Sequence, residues 1–263
     1  MPTLGIVTCQ ILELEFAYIL SNDPDVAAVR VLDNRFALGF CEAMDRIGAK
    51  RVDRIRYLTP SSDNSSAGFE VVVRVMEVGL HRVIQELKNG VLDAVSEMAD
   101  GVDAILIGYG LCGNAFQYPD ELFAHIGVPI FMPVDGDHVV DDCVGMVIGG
   151  RENYYEEQCR CAGTMFLTPG WTRHWKTVLL SGGGKRRDFK MAKRMMAEYK
   201  RVLLLPTPVM SEEEMAPSAQ EFIEVFGLEP QTRAGTFSIL DRTWALVKRS
   251  VVKEDASMEL FGE

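Results

Sequence analysis

The chain has 263 residues, with 27 Lys+Arg against 38 Asp+Glu, a formal charge of −11 and a pI near 4.9. So acidic a chain lacks the basic face that broad nucleic-acid binding or an anionic membrane surface requires, and neither partner is expected. With 48% hydrophobic and 25% charged residues it has the composition of a globular protein able to bury a sizeable core, as one large domain or one domain plus an appendage.

The first segment, MPTLGIVTCQILELEF, has no basic n-region and carries Glu13 and Glu15, so it does not read as a signal peptide. No run approaches the ~20 apolar residues of a membrane helix. A cytoplasmic location is therefore expected, where six cysteines are thiols, ligands or core residues rather than disulfides. Residues 3–9 (TLGIVTC) read as a buried strand. Ile11, Leu14, Ala17 and Tyr18 then recur at helical spacing, and Asn22-Asp23-Pro24 breaks the helix. Residues 25–67 are harder to read: 36–47 look helical, 52–57 strand-like and 60–66 a polar loop. Residues 21–68 together resemble an insertion.

Phe69–Arg74 is strand-like and leads into a helix over 82–98, in which Val83, Leu87, Val91 and Val95 repeat at i+4. Asp103–Gly108 (DAILIG) is the strongest strand signal and ends in Tyr-Gly-Leu-Cys-Gly-Asn. A helix is expected at 120–126, a strand at Val128–Met132 and a helix-compatible segment at 138–148. Strands apolar on both faces, alternating with helices, predict a doubly wound, Rossmann-like α/β fold with a mostly parallel sheet. The tail differs. Thr168-Pro-Gly-Trp171 opens a helix near 171–180, Ser181-Gly-Gly-Gly184 breaks it, and a basic helix spans about 187–200. A strand at 202–205, a helix over 212–226 closed by Gly227, and a last ordered element over 237–247 follow. The polar, acidic residues 251–263 are read as frayed. This divides the chain into an α/β domain, 1–176, and a mainly helical extension, 177–263.

In an open parallel sheet, ligands bind at the carboxyl ends of the strands. Cys9 ends the first strand, Cys112 follows DAILIGYG, and Cys143 lies ten residues past VPIFMP. Three thiolates meeting there suit zinc or an iron–sulfur cluster with one position left for an outside ligand. The competing reading is that each is a small buried hydrophobe. Gly110 and Gly113 flank Cys112 and allow positive φ and close backbone approach; with Asn114 they form a loop whose amides can receive a cofactor. His138 can ligate a metal or carry protons, and Asp142 can orient a ligand, making them the catalytic candidates. Cys159-Arg-Cys161 reads as a loop and is the remaining source of a fourth ligand; Cys41 reads as core, and His81, His125 and His174 as isolated. Ser181-Gly-Gly-Gly-Lys-Arg-Arg187 lacks the phosphate-loop pattern and reads as a linker with a basic patch. No GxSxG or HExxH occurs.

Ile-Gly-Tyr-Gly-Leu-Cys-Gly-Asn (107–114), Asp142-Cys143, Gly-Gly-Arg-Glu-Asn-Tyr (149–154) and Leu-Thr-Pro-Gly-Trp (167–171), with Cys9 and Gly79-Leu-His81, resemble the family known as domain of unknown function 1638. The resemblance covers roughly residues 1–20 and 69–176. Where that family tends to carry His-Asp-Cys, this chain has Asp141-Asp142-Cys143, with His138 earlier. The resemblance proves neither a reaction nor a cofactor; it implies an accessory or metal-handling role beside corrinoid-dependent methyl-transfer proteins.

Three functions are therefore expected to compete. The first is a cysteine-ligated metal or iron–sulfur protein serving corrinoid or one-carbon methyl transfer, as an accessory protein or an enzyme. The second is a metal-free protein holding a small molecule at the same sheet edge. The third is a thiol enzyme with Cys112 as nucleophile and His138 as base. A small molecule or a corrinoid protein is the expected partner. The sequence leaves open the metal, the substrate and whether the chain forms a homo-oligomer.

Overall fold

The structure is a computed structural model that describes residues 1–48, 50–58, 68–180 and 186–252. The polar loop at 60–66, the glycine break at 181–184 and the tail from 253 onward lie outside the described residues. In chain order the amino-terminal part runs β1 (Thr3–Cys9), α1 (Glu13–Asn22), β2 (Val26–Leu32), α2 (Leu38–Ile47), β3 (Val52–Ile55), β4 (Phe69–Met76), α3 (Ile84–Ala99) and β5 (Ala104–Gly108). It continues with α4 (Pro119–Leu122), β6 (Ile130–Phe131), β7 (Val134–Asp135), β8 (His138–Val139), α5 (Cys143–Ile148) and α6 (Arg151–Arg160). The rest is β9 (Thr164–Leu167), α7 (Pro169–Leu179), α8 (Arg186–Met195), β10 (Arg201–Leu204), α9 (Glu212–Phe226), β11 (Glu229–Thr232) and α10 (Ser238–Val251).

Six strands form one parallel sheet in the order β3-β2-β4-β1-β5-β6. Alternation along β1 and β5 divides the core. Leu4, Ile6, Ala104 and Leu106 face α1, α2, α5 and α10, whereas Val7, Cys9, Ile105, Ile107 and Tyr109 face α3. Leu87, Val91, Val95 and Met98 of α3 are the i, i+4, i+8, i+11 stripe that fills the second face. This is the doubly wound α/β architecture that the alternating pattern predicts. The connection leaving β1 runs toward β2, and the one leaving β4 runs the other way, to β5. That reversal opens a crevice at the carboxyl ends of β1, β4 and β5, the ligand position in such sheets.

A second parallel sheet, β11-β10-β9, carries α7, α8 and α9 on one face, where Leu167, Val202 and Leu204 meet Trp175, Met215 and Phe222. The carboxyl-terminal part is thus mainly helical around a small sheet. The last helix, α10, returns to the first sheet: Ile239, Leu240, Trp244 and Val247 join its core, and Trp244 Nε1 donates to Asp23 at 2.6 Å. No helix among the described residues is long and apolar enough to cross a membrane.

Three local readings change. The stretch at 138–148 is not one helix. Gly136, at φ +64°, turns β7 back into β8, and only from Cys143 does a helix run, capped by Asp142, whose Oδ1 accepts the Gly145 amide at 2.9 Å. The helix expected at 120–126 shrinks to α4. Cys159 and Cys161 do not sit in a loop: Cys159 is on α6 and Cys161 caps its end. That helix has almost no apolar stripe; it is held by Glu156 and Glu157 pairing with Arg160, so hydrophobic periodicity could not announce it. The insertion-like residues supply β2, α2 and β3, two strands of the main sheet.

Candidate functional site

Cys9 is the last residue of β1, and the chain turns there into a short 3₁₀ segment, so the Ile11 and Leu12 amides point back at its sulfur. Thr8 pairs with Gly108 in register; one residue on, Cys9 and Tyr109 lie side by side on the α3 face. Past Tyr109 the backbone adopts a left-handed run, Cys112 at φ +46°, Gly113 at +68° and Asn114 at +68°. A cysteine rarely takes that conformation, and here the neighbouring segment imposes it. Leu111 N donates to Val140 O and Cys112 N to Asp141 O, both at 2.8 Å, so the loop is zipped to the residues just before Cys143. The two glycines serve different ends: Gly113 supplies positive φ, whereas a Cβ on Gly110 would run into the Val140 carbonyl and the Asp142 amide.

The second sheet closes the crevice. Thr168 Oγ1 caps α7 by accepting the Trp171 amide, and a Cβ on Gly170 would overlap the Ile11 carbonyl. The Pro-Gly-Trp motif therefore lets α7 press directly on the turn that follows Cys9, which sets the Trp171 indole beside the Cys143 sulfur without a full hydrogen bond. Arg173 and His174 on α7 reach Glu13 at 3.2 and 3.1 Å. Glu15, two residues on, is fully buried, with neither carboxylate oxygen partnered among the described residues; burial pushes its carboxyl up to about 8. His81, at the carboxyl end of β4, stacks on Tyr109 with ring centroids 5.7 Å apart. Its Nδ1 meets Val78 O at 3.2 Å, so that nitrogen carries the proton, and burial keeps the ring neutral.

Cys9, Cys112 and Cys143 are close enough that charge on one raises the pKa of the next, and all three act on Tyr109. Burial is the larger cause in each. It pushes Cys9 up to about 12 and Cys112 and Cys143 further in the same direction, so without a nearby positive charge all three are neutral thiols. The buried Tyr109 hydroxyl, near all three, and the Trp171 indole N–H, beside Cys143, have no partner among the described residues. Among the described residues no three His, Cys, Asp or Glu side chains are already disposed to hold a metal ion.

On the far side of the 140–142 segment, His138 and Asp142 line a cavity of about 190 Å³ with Asp135, Asp141, Arg151 and Tyr154. His138 Nδ1 meets Asp137 at 3.2 Å and its buried Nε2 has no partner. Burial raises the Asp142 carboxyl. Cys41 is buried in the core behind the main sheet, Cys159 is exposed, and Cys161 lines a different cavity, against the second sheet.

A family model described as "Protein of unknown function (DUF1638)" matches residues 75–244, about two thirds of the chain. The chain belongs to this family. The match begins after β1, so Cys9 lies outside it, and it runs through the second sheet into α10. Within the family segment stand His81, the Tyr109–Asn114 loop, Cys143 and the Pro-Gly-Trp turn, the residues that build the crevice. No curated protein matches the chain. Of these residues, sequence spacing missed the part played by His81 and Trp171. Gly79-Leu-His81 and Thr-Pro-Gly-Trp belong to the family resemblance, but only the folded contacts give them roles. The buried Glu13 and Glu15 carry no site signal in the sequence, where they count only against a signal peptide.

Proposed function

We propose that the chain binds a thiophilic metal centre, zinc or an iron–sulfur cluster, through Cys9, Cys112 and Cys143 at the carboxyl edge of the main sheet. The observation that carries the reading is that Cys9, Cys112 and Cys143 all act on the buried Tyr109, whose hydroxyl, like the Trp171 indole N–H beside Cys143, has no partner among the described residues. The donor set fits. Amides of Ile11, Leu12 and Gly110 already point at two of the sulfurs, as thiolate ligands need. Among the described residues the side chains as they stand form no finished ligand set, so binding requires the thiols to reorient. A bound cation would supply the charge that makes the thiols ionise and leave a position for an outside ligand. Trp171 of α7 lies beside Cys143, and the stacked His81–Tyr109 pair borders the same thiols. In this reading the protein serves corrinoid or one-carbon methyl transfer, as an accessory protein or an enzyme, the role that the family resemblance implies.

The test is elemental analysis and visible absorbance of protein purified without oxygen. We expect about one zinc, or one cluster's worth of iron with a brown colour, per chain. Cys112→Ser and Cys143→Ser should lose most of the metal and melt at lower temperature, and Cys41→Ser should keep it. Equal metal in the Cys112 and Cys41 variants, or none in the parent, ends the proposal.

A metal-free reading has one observation in its favour, the cavity of about 190 Å³ lined by His138 and Asp142, which suits a small polar molecule. The thiol-enzyme variant has less support. Burial holds Cys112 as a thiol, and His138 Nε2 accepts no proton from it in this arrangement.

A further inference from the structure

A concentration of positive charge around a cavity lies far along the chain from the thiols, against the second sheet. Side chains alternate along its strands, so Arg201 and Leu203 of β10 and Glu229, Gln231 and Arg233 along β11 share the face opposite α7 and α9. The end of α6 adds Glu157 and Arg160. Together with Cys161, Lys200 and Thr232 these residues line an open cavity of about 490 Å³. Four of its lining side chains are cations and two are carboxylates, on a chain whose net charge is −11.

The guanidinium groups are held in place. Glu157, buried, meets Arg160 at 2.9 Å, Arg201 at 2.8 Å and Arg233 at 2.8 Å. Arg201, itself buried, also bonds Thr164 Oγ1 at 2.7 Å, the Glu157 carbonyl at 2.7 Å and Gln231 Oε1. Asn153 accepts from Arg233 Nη2 at 2.7 Å. Glu156 also meets Arg160 at 2.6 Å and Arg233 at 3.1 Å, so two carboxylates face three guanidiniums; one positive charge and several N–H donors are left unspent, since each guanidinium has five donors in a fixed fork. Such a fork, held rigid before a ligand arrives, matches the oxygens of a phosphate or carboxylate. Lys200, exposed at the rim, adds a mobile point charge. A purely structural network would be expected to balance its charges; this one carries an excess into an open cavity.

We propose that this cavity binds a small anion with two or more negatively charged oxygens, a phosphate ester or a compact polycarboxylate, on Arg160, Lys200, Arg201 and Arg233. The site is independent of the thiols and of the function proposed for them.

The test is isothermal titration of the full chain with inorganic phosphate, with phenyl phosphate and with citrate, each at an ionic strength matched by sodium chloride. Saturable binding at one site per chain is expected for at least one of them. Lys200→Gln and Arg160→Gln should each weaken it about tenfold, the effect of one charge-assisted hydrogen bond; Lys200→Gln, at the exposed rim, should melt like the parent, whereas Arg160→Gln, which leaves Glu156 and Glu157 short of a partner, should melt lower. The relative strength of the three probes identifies the phosphate or the carboxylate source. No heat beyond the chloride control for any probe, or binding that both variants leave unchanged, overturns the proposal.

Discussion

Glu15 shows how one side chain can shape the behaviour of the whole fold. Its carboxyl has no partner and no water-facing surface, so burial raises it from 4.5 to about 8. The folded state therefore holds the proton more tightly than the unfolded chain. Stability from this residue is complete below pH 4.5 and is lost as pH rises toward about 8. Within that window the loss is about 1.4 kcal/mol per pH unit at most. Urea denaturation at pH 5, 6, 7 and 8 should show the parent weakening steadily against Glu15→Gln, which cannot ionise; parallel curves would refute the assignment. Nothing in the sequence marked this residue. Glu13 and Glu15 sit where acids favour a helix dipole, and only the arrival of α7, more than 150 residues later in the chain, turns them into buried groups. The cysteines were more legible, because a strand end and a glycine-flanked loop fix their place before any partner is known. Cys112 carries the strain that the glycines beside it foretell.

At the scale of elements, the contact between Gly170 and the turn after Cys9 joins the two sheets. Gly170→Ala puts a methyl group where the Ile11 carbonyl lies, so α7 must lift from that turn. A cost of about 2 kcal/mol is expected, as for other overpacked contacts. Because α7 also seats Trp171 and pairs Arg173 and His174 with Glu13, the change should red-shift tryptophan emission as well as lower the melting temperature. A variant with native emission and stability would show that the close approach is not needed. Elements announced by apolar alternation were read well: β1 coincides with its predicted span, and α9 covers 212–226 and is closed by Gly227 as expected, with Ser211 adding a capping box. Those held by other forces were not. The polar α6 rests on ion pairs, the β7–β8 hairpin on a single glycine turn, and β2 on partners that are distant in sequence.

For the whole molecule, the decisive arrangement is that the main sheet is finished by its most distant helix. Ile239, Leu240, Trp244 and Val247 cover the face of Leu4, Ile6 and Leu106, and Lys248 reaches Asp23 and Asp25 at 2.7 Å. A chain ending at residue 237 should keep its strands but expose that face. We expect it to bind a hydrophobic dye and sediment as aggregates, and a monomer melting like the parent would contradict this. The same contact sets a clock on synthesis. On a ribosome adding ~5–20 residues per second, every strand of the main sheet emerges before α10 is made, so its apolar face stays bare for on the order of 10 s. A cell making this protein must shield nascent chains across that interval, and a fusion or stalled message that delays the last helix would send them into aggregates although every residue of the crevice had already been translated.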